Sequence, residues 1–240
     1  MLGIFSLSSG TMSTTASAKT LFLRVGEQLS TEAPSMNVVT SAESKAVTDL
    51  HANSPYFHND HAHTDYVAKA NGGATWSTPP FAVDCELIPG AQHASLWIGT
   101  NAKATDFTVS LSHWQKEANE WSSVCGATIS TRTLKHEFPG KQMIAIMANG
   151  GYSVELPVEM DLVEPVPIRA GDVLRLDVSG SPEASGSLPA AGEEPVVHRI
   201  WHAPKWASTV RLGVKAVDGP GALKLDLPFV KGPKVTQPVP

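Results

Sequence analysis

Charge is scarce in this chain. Asp, Glu, Lys and Arg make up 17% of its 240 residues, and 18 basic side chains face 23 acidic ones. A formal net charge of −5 excludes a surface built to neutralise a phosphate backbone or to rest on an anionic membrane, so neither nucleic acid nor membrane is an expected partner. Cysteine is rarer still. Cys85 and Cys125 permit one disulfide at most, their separation fits neither a metal knuckle nor a redox dithiol, and their strand-like surroundings predict two buried free thiols. Long apolar runs are missing as well, since nothing approaches the ~18 residues of a membrane-spanning helix. The opening residues include Ala16, Ser17 and Ala18, a cleavage-like trio. They lack a basic n-region and carry only the short apolar run from Leu2 to Leu7, so no cleaved signal is expected.

What is present is strand and turn chemistry. Hydrophobic residues make up 42% of the chain, enough to bury a core, and Gly (19) and Pro (18) recur throughout among Ser, Thr and Val. That composition leaves little room for an all-helical fold. Alternation of apolar and polar residues marks nine segments as strands. Lys19 to Val25 sets Leu21, Leu23 and Val25 on one face; Ala94 to Ile98 and Asp106 to Trp114 follow, the second with Phe107, Val109 and Leu111 inward. Trp121 to Thr131 forms a hairpin with that strand across the polar turn Gln115 to Glu120. Lys141 to Ala148 is apolar on both faces and is expected to lie centrally. Tyr152 to Met160, Asp172 to Val178, Val196 to Ala203 and Thr209 to Lys215 complete the set. The expected fold is an all-β jelly-roll β-sandwich of about nine strands.

Three stretches fall outside the pattern and set the expected organisation. Residues 1–18 form a Ser/Thr-rich arm, 19–230 the sandwich, and 231–240 a Pro-rich tail; within the sandwich, 30–78 is an irregular insertion where Ser41 to Leu50 has helical character. Ala222 to Leu227 is one further candidate strand near the end. A loop of that length inside a compact domain points to function or to a partner.

The order of several segments resembles a known domain. The stretch WSTPP (76–80) leads to ASLWIGT (94–100), then to Asp106, Phe107, Thr108 and Val109, then to GATIST (126–131) before Arg132 and to ELPVEM (155–160). After these come IRAGDVLRL (168–176), Ile200, Trp201 and His202, Ser208 six residues later, and TVRLGV (209–214). This series resembles the C-terminal jelly-roll domain of the X-prolyl dipeptidyl peptidase and cocaine esterase family of hydrolases, over roughly residues 76–215. It departs from the family at Ala207, where Pro is usual, and at Ala203, where an acidic residue is usual. In that family, the resemblance implies, the nucleophile, acid and His belong to a separate α/β-hydrolase domain. This chain has no G-x-S-x-G elbow and no alternating strand–helix pattern, so the resemblance implies a fold without the catalytic machinery.

Candidate sites follow from residue chemistry. His58, Asp60, His61, His63 and Asp65 gather imidazole and carboxylate donors of the kind that hold Zn²⁺, although a polar exposed loop would look the same in sequence. Trp114 and Trp121 flank a hairpin tip, and Trp201 and Trp206 lie near the closing strands; exposed rings there would suit the apolar face of a surface glycan, whereas buried rings would simply fill the core. His202 and Ser208, with Asp84 or Asp106, have the residue types of a nucleophile–base set, but a His–Ser hydrogen bond stabilising a turn is the expected use. Asp84 and Asp106 also suit strand-edge turns or a weak Ca²⁺ site.

These features together predict a non-catalytic structural protein. It would act as a subunit of a larger assembly, a virion decoration, cement or tail component, in contact with other protein subunits and forming a homo-oligomer. Leu2, Ile4, Phe5, Leu7, Val235 and Val239 are the apolar arm residues expected to dock by strand addition. The alternatives are an extracellular or cell-surface carbohydrate-binding module working through its tryptophans, and a cryptic hydrolase.

Overall fold

The computed structural model describes residues 17–24, 26–34, 63–67, 73–100, 105–130, 144–145, 152–182, 197–203 and 206–216. Within them the chain is all β, with fifteen strands and no helix. Eight long strands lie where alternation predicts them: β1 (Ser17–Arg24), β6 (Gly90–Thr100), β7 (Thr105–Gln115), β8 (Glu120–Ser130), β10 (Tyr152–Leu162), β12 (Val173–Pro182), β13 (Val197–Ala203) and β15 (Thr209–Ala216). The ninth expected segment contributes β9 (Ile144–Ala145), which pairs with β10; the rest of it lies outside the described residues.

Six short strands carry too few residues to show a period: β2 (Gln28–Ser30), β3 (His63–Val67), β4 (Gly73–Ser77), β5 (Cys85–Leu87), β11 (Val166–Ile168) and β14 (Trp206–Ala207). Two of these correct the expectation of an irregular insertion over 30–78. β3 pairs with β13, and β4 pairs with β12 from Gly73 opposite Ser179 to Ser77 opposite Arg175. Tertiary pairing overrides weak local signal here, because Ala74 and Trp76 of β4 both enter the core. The expected helix over Ser41 to Leu50 and strand over Ala222 to Leu227 lie outside the described residues. β1 starts at Ser17, opposite Val214, so the last two residues of the expected N-terminal arm belong to the sheet.

Hydrogen bonding links all fifteen strands into one sheet that doubles over as a sandwich. One half runs β4–β12–β7–β8, all antiparallel. The other is built on β6, which takes β10 along one whole edge and shares its second edge between β15 and β13. β15 carries β1 and β5, β5 carries β11, and a single parallel bridge, Gln28 opposite Ser77, joins the halves through β2 and β4. The inward residues form one core: Leu21 and Leu23, Leu96 and Ile98, Phe107, Val109 and Leu111, Leu156 and Met160, Leu174, Leu176 and Val178, Val210 and Leu212. Period-two alternation in each strand fixes this set, since a one-residue slip would turn every such side chain to solvent.

One irregularity matters for the outer surface. In the β7–β8 ladder Leu111 pairs with Cys125 but Ser112 pairs with Ser123, so Val124 is an extra residue on β8. Beyond this bulge the inward positions of β8 change parity. Cys125, opposite Leu111, is buried, whereas Trp121, four residues earlier, pairs with Trp114 on the opposite face.

Candidate ligand-binding face

The polar side chains inside the sandwich are committed to its architecture. Asp172 is 4% exposed, and its carboxylate accepts the backbone N–H of Lys116 at Oδ1 (2.9 Å), the backbone N–H of Arg169 at Oδ2 (2.9 Å) and Nε2–H of buried His113 at Oδ2 (2.8 Å). A carboxylate has only acceptors, so the imidazole must carry its proton on Nε2. Burial opposes the charge on Asp172, but the hydrogen bonds from Lys116, Arg169 and His113 outweigh it and hold the carboxyl below its ordinary range. The group ties the β7–β8 hairpin tip to the turn before β12.

The anticipated His202–Ser208 turn is corrected. His202 Nε2 lies 2.8 Å from Thr64 Oγ1 of β3, with the Trp76 ring edge-on at 5.8 Å, whereas Ser208 Oγ accepts the backbone N–H of Trp97 (3.0 Å). His202 lies on β13 and bonds to β3, whereas Ser208 lies in the junction between β14 and β15 and bonds to β6, so each side chain stitches a different pair of segments. Asp84 Oδ1 accepts the backbone N–H of Ala170, a turn clip. Asp106 occupies the register position between Ser130 and Ser181. Both cysteines are buried and unbridged, as expected. Burial, reinforced by Asp84 and Asp172, pushes the Cys85 thiol up to about 12, and burial with Asp161 pushes Cys125 up to about 11.

Of the proposed metal donors, His58, Asp60 and His61 lie outside the described residues. His63 and Asp65 fall on β3, at the register positions opposite Trp201 and Arg199. No cluster of three or more metal-ligating side chains occurs among the described residues. Leu2, Ile4, Phe5, Leu7, Val235 and Val239 are outside them too.

The tryptophans divide. Trp201 is 3% exposed, with the Arg199 guanidinium 5.4 Å from its ring centre, and a ring so covered offers no face to a sugar; this corrects its expected role. Trp206 pairs with Ala203 in the β13–β14 ladder. Trp114 and Trp121 are half-buried, directly opposite each other on the outer face of the β4–β12–β7–β8 sheet.

That outer face is nearly free of charge. Residues 107, 109, 111 and 113 of β7 are buried, so Thr108, Ser110, Ser112 and Trp114 point away from the core. The register sets Thr75 and Ser77 of β4, Ser179 of β12, and Ser123 and Thr128 of β8 on the same face, with Gly73 and Gly126 between them. Thr108 and Thr128 share a hydrogen bond of 2.8 Å across the strands. Among the described residues no Lys or Glu stands on this face, and Asp106 at its end is a further acid, whereas the outer face of the other half carries Glu155, Glu159, Asp161, His93 and Arg211.

Among the described residues, Arg175 and Asp177 form the one ion pair on this face. Arg175 Nε donates to Asp177 Oδ2 at 3.0 Å, and the guanidinium stacks over the Trp121 ring, 4.2 Å from its centre. Small Ser112, between Arg175 and Ser123 in the register, leaves the space across which they meet. Burial raises the Asp177 carboxyl above its ordinary range, opposed by Arg175 and by the Ser112 hydroxyl, which donates to it. Sequence alternation alone sets Arg175 and Asp177 outward. It gives no sign that Trp121 reaches them from two strands away.

Comparison with known proteins is a likeness of fold. The chain is similar to an aminopeptidase from a marine sediment Thaumarchaeota archaeon (TM-score 0.56, 12% identity, 82% of this chain and 37% of that one). It is likewise similar to an α-amino acid ester hydrolase (TM-score 0.55, 14% identity, 82% and 36%) and to a CocE/NonD family hydrolase from Staphylococcus aureus (TM-score 0.54, 14% identity, 83% and 37%). The chain thus spans little more than a third of each, the share of one domain, in agreement with the resemblance to the jelly-roll domain of these hydrolases. No protein-family model and no curated protein matches it.

Proposed function

We propose that this chain is a non-catalytic β-sandwich building block of a larger assembly, attached to neighbouring subunits through its terminal segments and turning its hydroxyl-rich outer face outward. The observation that carries this reading is the division of polar groups. His113, Asp172, His202 and Ser208 are spent on holding strands and turns together, whereas the hydroxyls, Trp121 and the Arg175–Asp177 pair lie on the outside. Function is argued from sites rather than from fold, and the likeness to hydrolases of unlike length carries no activity over. A virion decoration or tail component is the setting that best suits a sandwich with apolar residues in both arms.

The test is light scattering behind size exclusion. The full chain is expected to form a defined oligomer or higher assembly, and a version trimmed to residues 17–230 is expected to run as a monomer. Monomers in both cases would sink the reading, as would turnover of ester or peptide substrates that Ser208→Ala abolishes.

A further inference from the structure

We propose that the cluster of Trp121, Arg175, Asp177 and Ser112 is a binding site for a neutral oligosaccharide. The inference rests on the outer face being the outward surface of the building block. Charge comes first: the only cation and the only anion of the cluster are bonded to each other at 3.0 Å, so the site sums to zero and gives an anionic ligand nothing to neutralise. Hydrogen-bonding capacity comes next. Arg175 spends Nε on Asp177, and its Nη1 and Nη2 have no partner among the described residues. Asp177 retains acceptor lone pairs beside them. Adjacent donors and acceptors match hydroxyl groups, each of which both donates and accepts.

The cluster is also preorganised. The guanidinium is fixed along one edge by Asp177 and over one face by the indole, which reduces the rotamer freedom lost when a ligand arrives. Trp121 holds the guanidinium in place, and Trp114, its half-buried register partner, supplies the apolar border that the C–H face of a sugar ring contacts. Around them stand Ser and Thr, and among the described residues no long charged side chain other than Arg175 lies on this face to compete for the floor. A protein interface would also favour Trp and Arg. The internally neutralised pair and the continuous hydroxyl surround favour the polyol.

The experiment is a glycan array probed with the full chain, followed by calorimetric titration of the best neutral oligosaccharide. Saturable binding to neutral glycans is expected, weakened about tenfold or more by Trp121→Ala and by Arg175→Met. Thr108→Lys, at an exposed position on the same face, is expected to weaken it without altering the thermal midpoint, which separates lost binding from lost folding. Binding that all three variants leave intact would overturn the proposal, as would an array that answers only to acidic glycans or to none. Should Thr108→Lys instead lower the assembled mass with no glycan bound, the face is a subunit contact: the sugar site falls and the assembly reading stands.

Discussion

Asp172 shows how one carboxylate joins a hairpin to a turn through three hydrogen bonds, and what its loss would cost. Asparagine keeps the shape but removes the charge and turns one acceptor into a donor facing donor N–H groups. Asp172→Asn should destabilise the fold by about 2–3 kcal/mol at neutral pH in a denaturant titration. The folded-state pKa lies below the unfolded value, so the carboxylate contributes stability above the unfolded pKa of about 3.9 and loses it as pH falls through the folded value. The gap between wild type and variant should therefore close in strong acid. His198 works in a different window. Burial, opposed by a hydrogen bond with the Gly180 backbone, lowers its pKa to about 4, and its ring packs edge-on to Phe107 at 4.9 Å. The unfolded chain takes up this proton near pH 6.5 and the folded chain only near 4, so stability should fall between those values by up to about 3 kcal/mol. Stability measured from pH 7 down to pH 4 should show that slope, and His198→Phe should flatten it. An unchanged slope would mean that the imidazole is not held neutral.

Among the elements, the β7–β8 hairpin decides where the candidate site can exist. Its strands and its turn at 116–119 are legible from alternation and from the polar tip. The bulge at Val124 is not, because one extra residue leaves no compositional trace. Counting in twos from Ile129, Ala127 and Cys125, which pair with Phe107, Val109 and Leu111, would put Trp121 in the core. The inserted residue sends it out to Trp114 and Arg175 instead. Deleting Val124 should restore uninterrupted alternation and force either Trp121 inward or Cys125 outward. The expected result is a thermal midpoint lower by several degrees, about 1–3 kcal/mol, and loss of the Trp121 cluster, read by a changed near-ultraviolet circular dichroism signal. A variant with native stability and an unchanged tryptophan signal would refute this account of the bulge.

For the whole molecule, the two outer faces differ in kind. The half built on β6 and β10 carries carboxylates with His93, 3.6 Å from Glu159, and Arg211 nearby in register, the mixed charge of a solvated sheet. The half built on β7 and β12 carries hydroxyls. Such a surface lacks the charges that keep an exposed sheet from pairing or adhering, which is what a face kept for a ligand or partner requires. Trimming to residues 17–230 retains every core residue named above. It should leave the thermal midpoint within a few degrees of the full chain even where it abolishes assembly. A large fall in midpoint on trimming would mean that the terminal segments belong to the fold rather than to its contacts.

The sequence by itself determined the all-β class, the eight long strands and those of their inward residues that the structure describes, Val25 lying outside them, together with the hairpin and the buried thiols. Each follows from period-two alternation or from local turn chemistry, which are properties of neighbouring residues. Tertiary structure alone decided the rest. β3 and β4 became strands because β13 and β12 offered edges, and His202 and Ser208 went to Thr64 and Trp97 because those strands lay beside them. Trp121, Arg175 and Asp177 met through a bulge and a two-strand reach. Pairing between distant segments depends on register and twist, and neither is written in the order of residues along one strand.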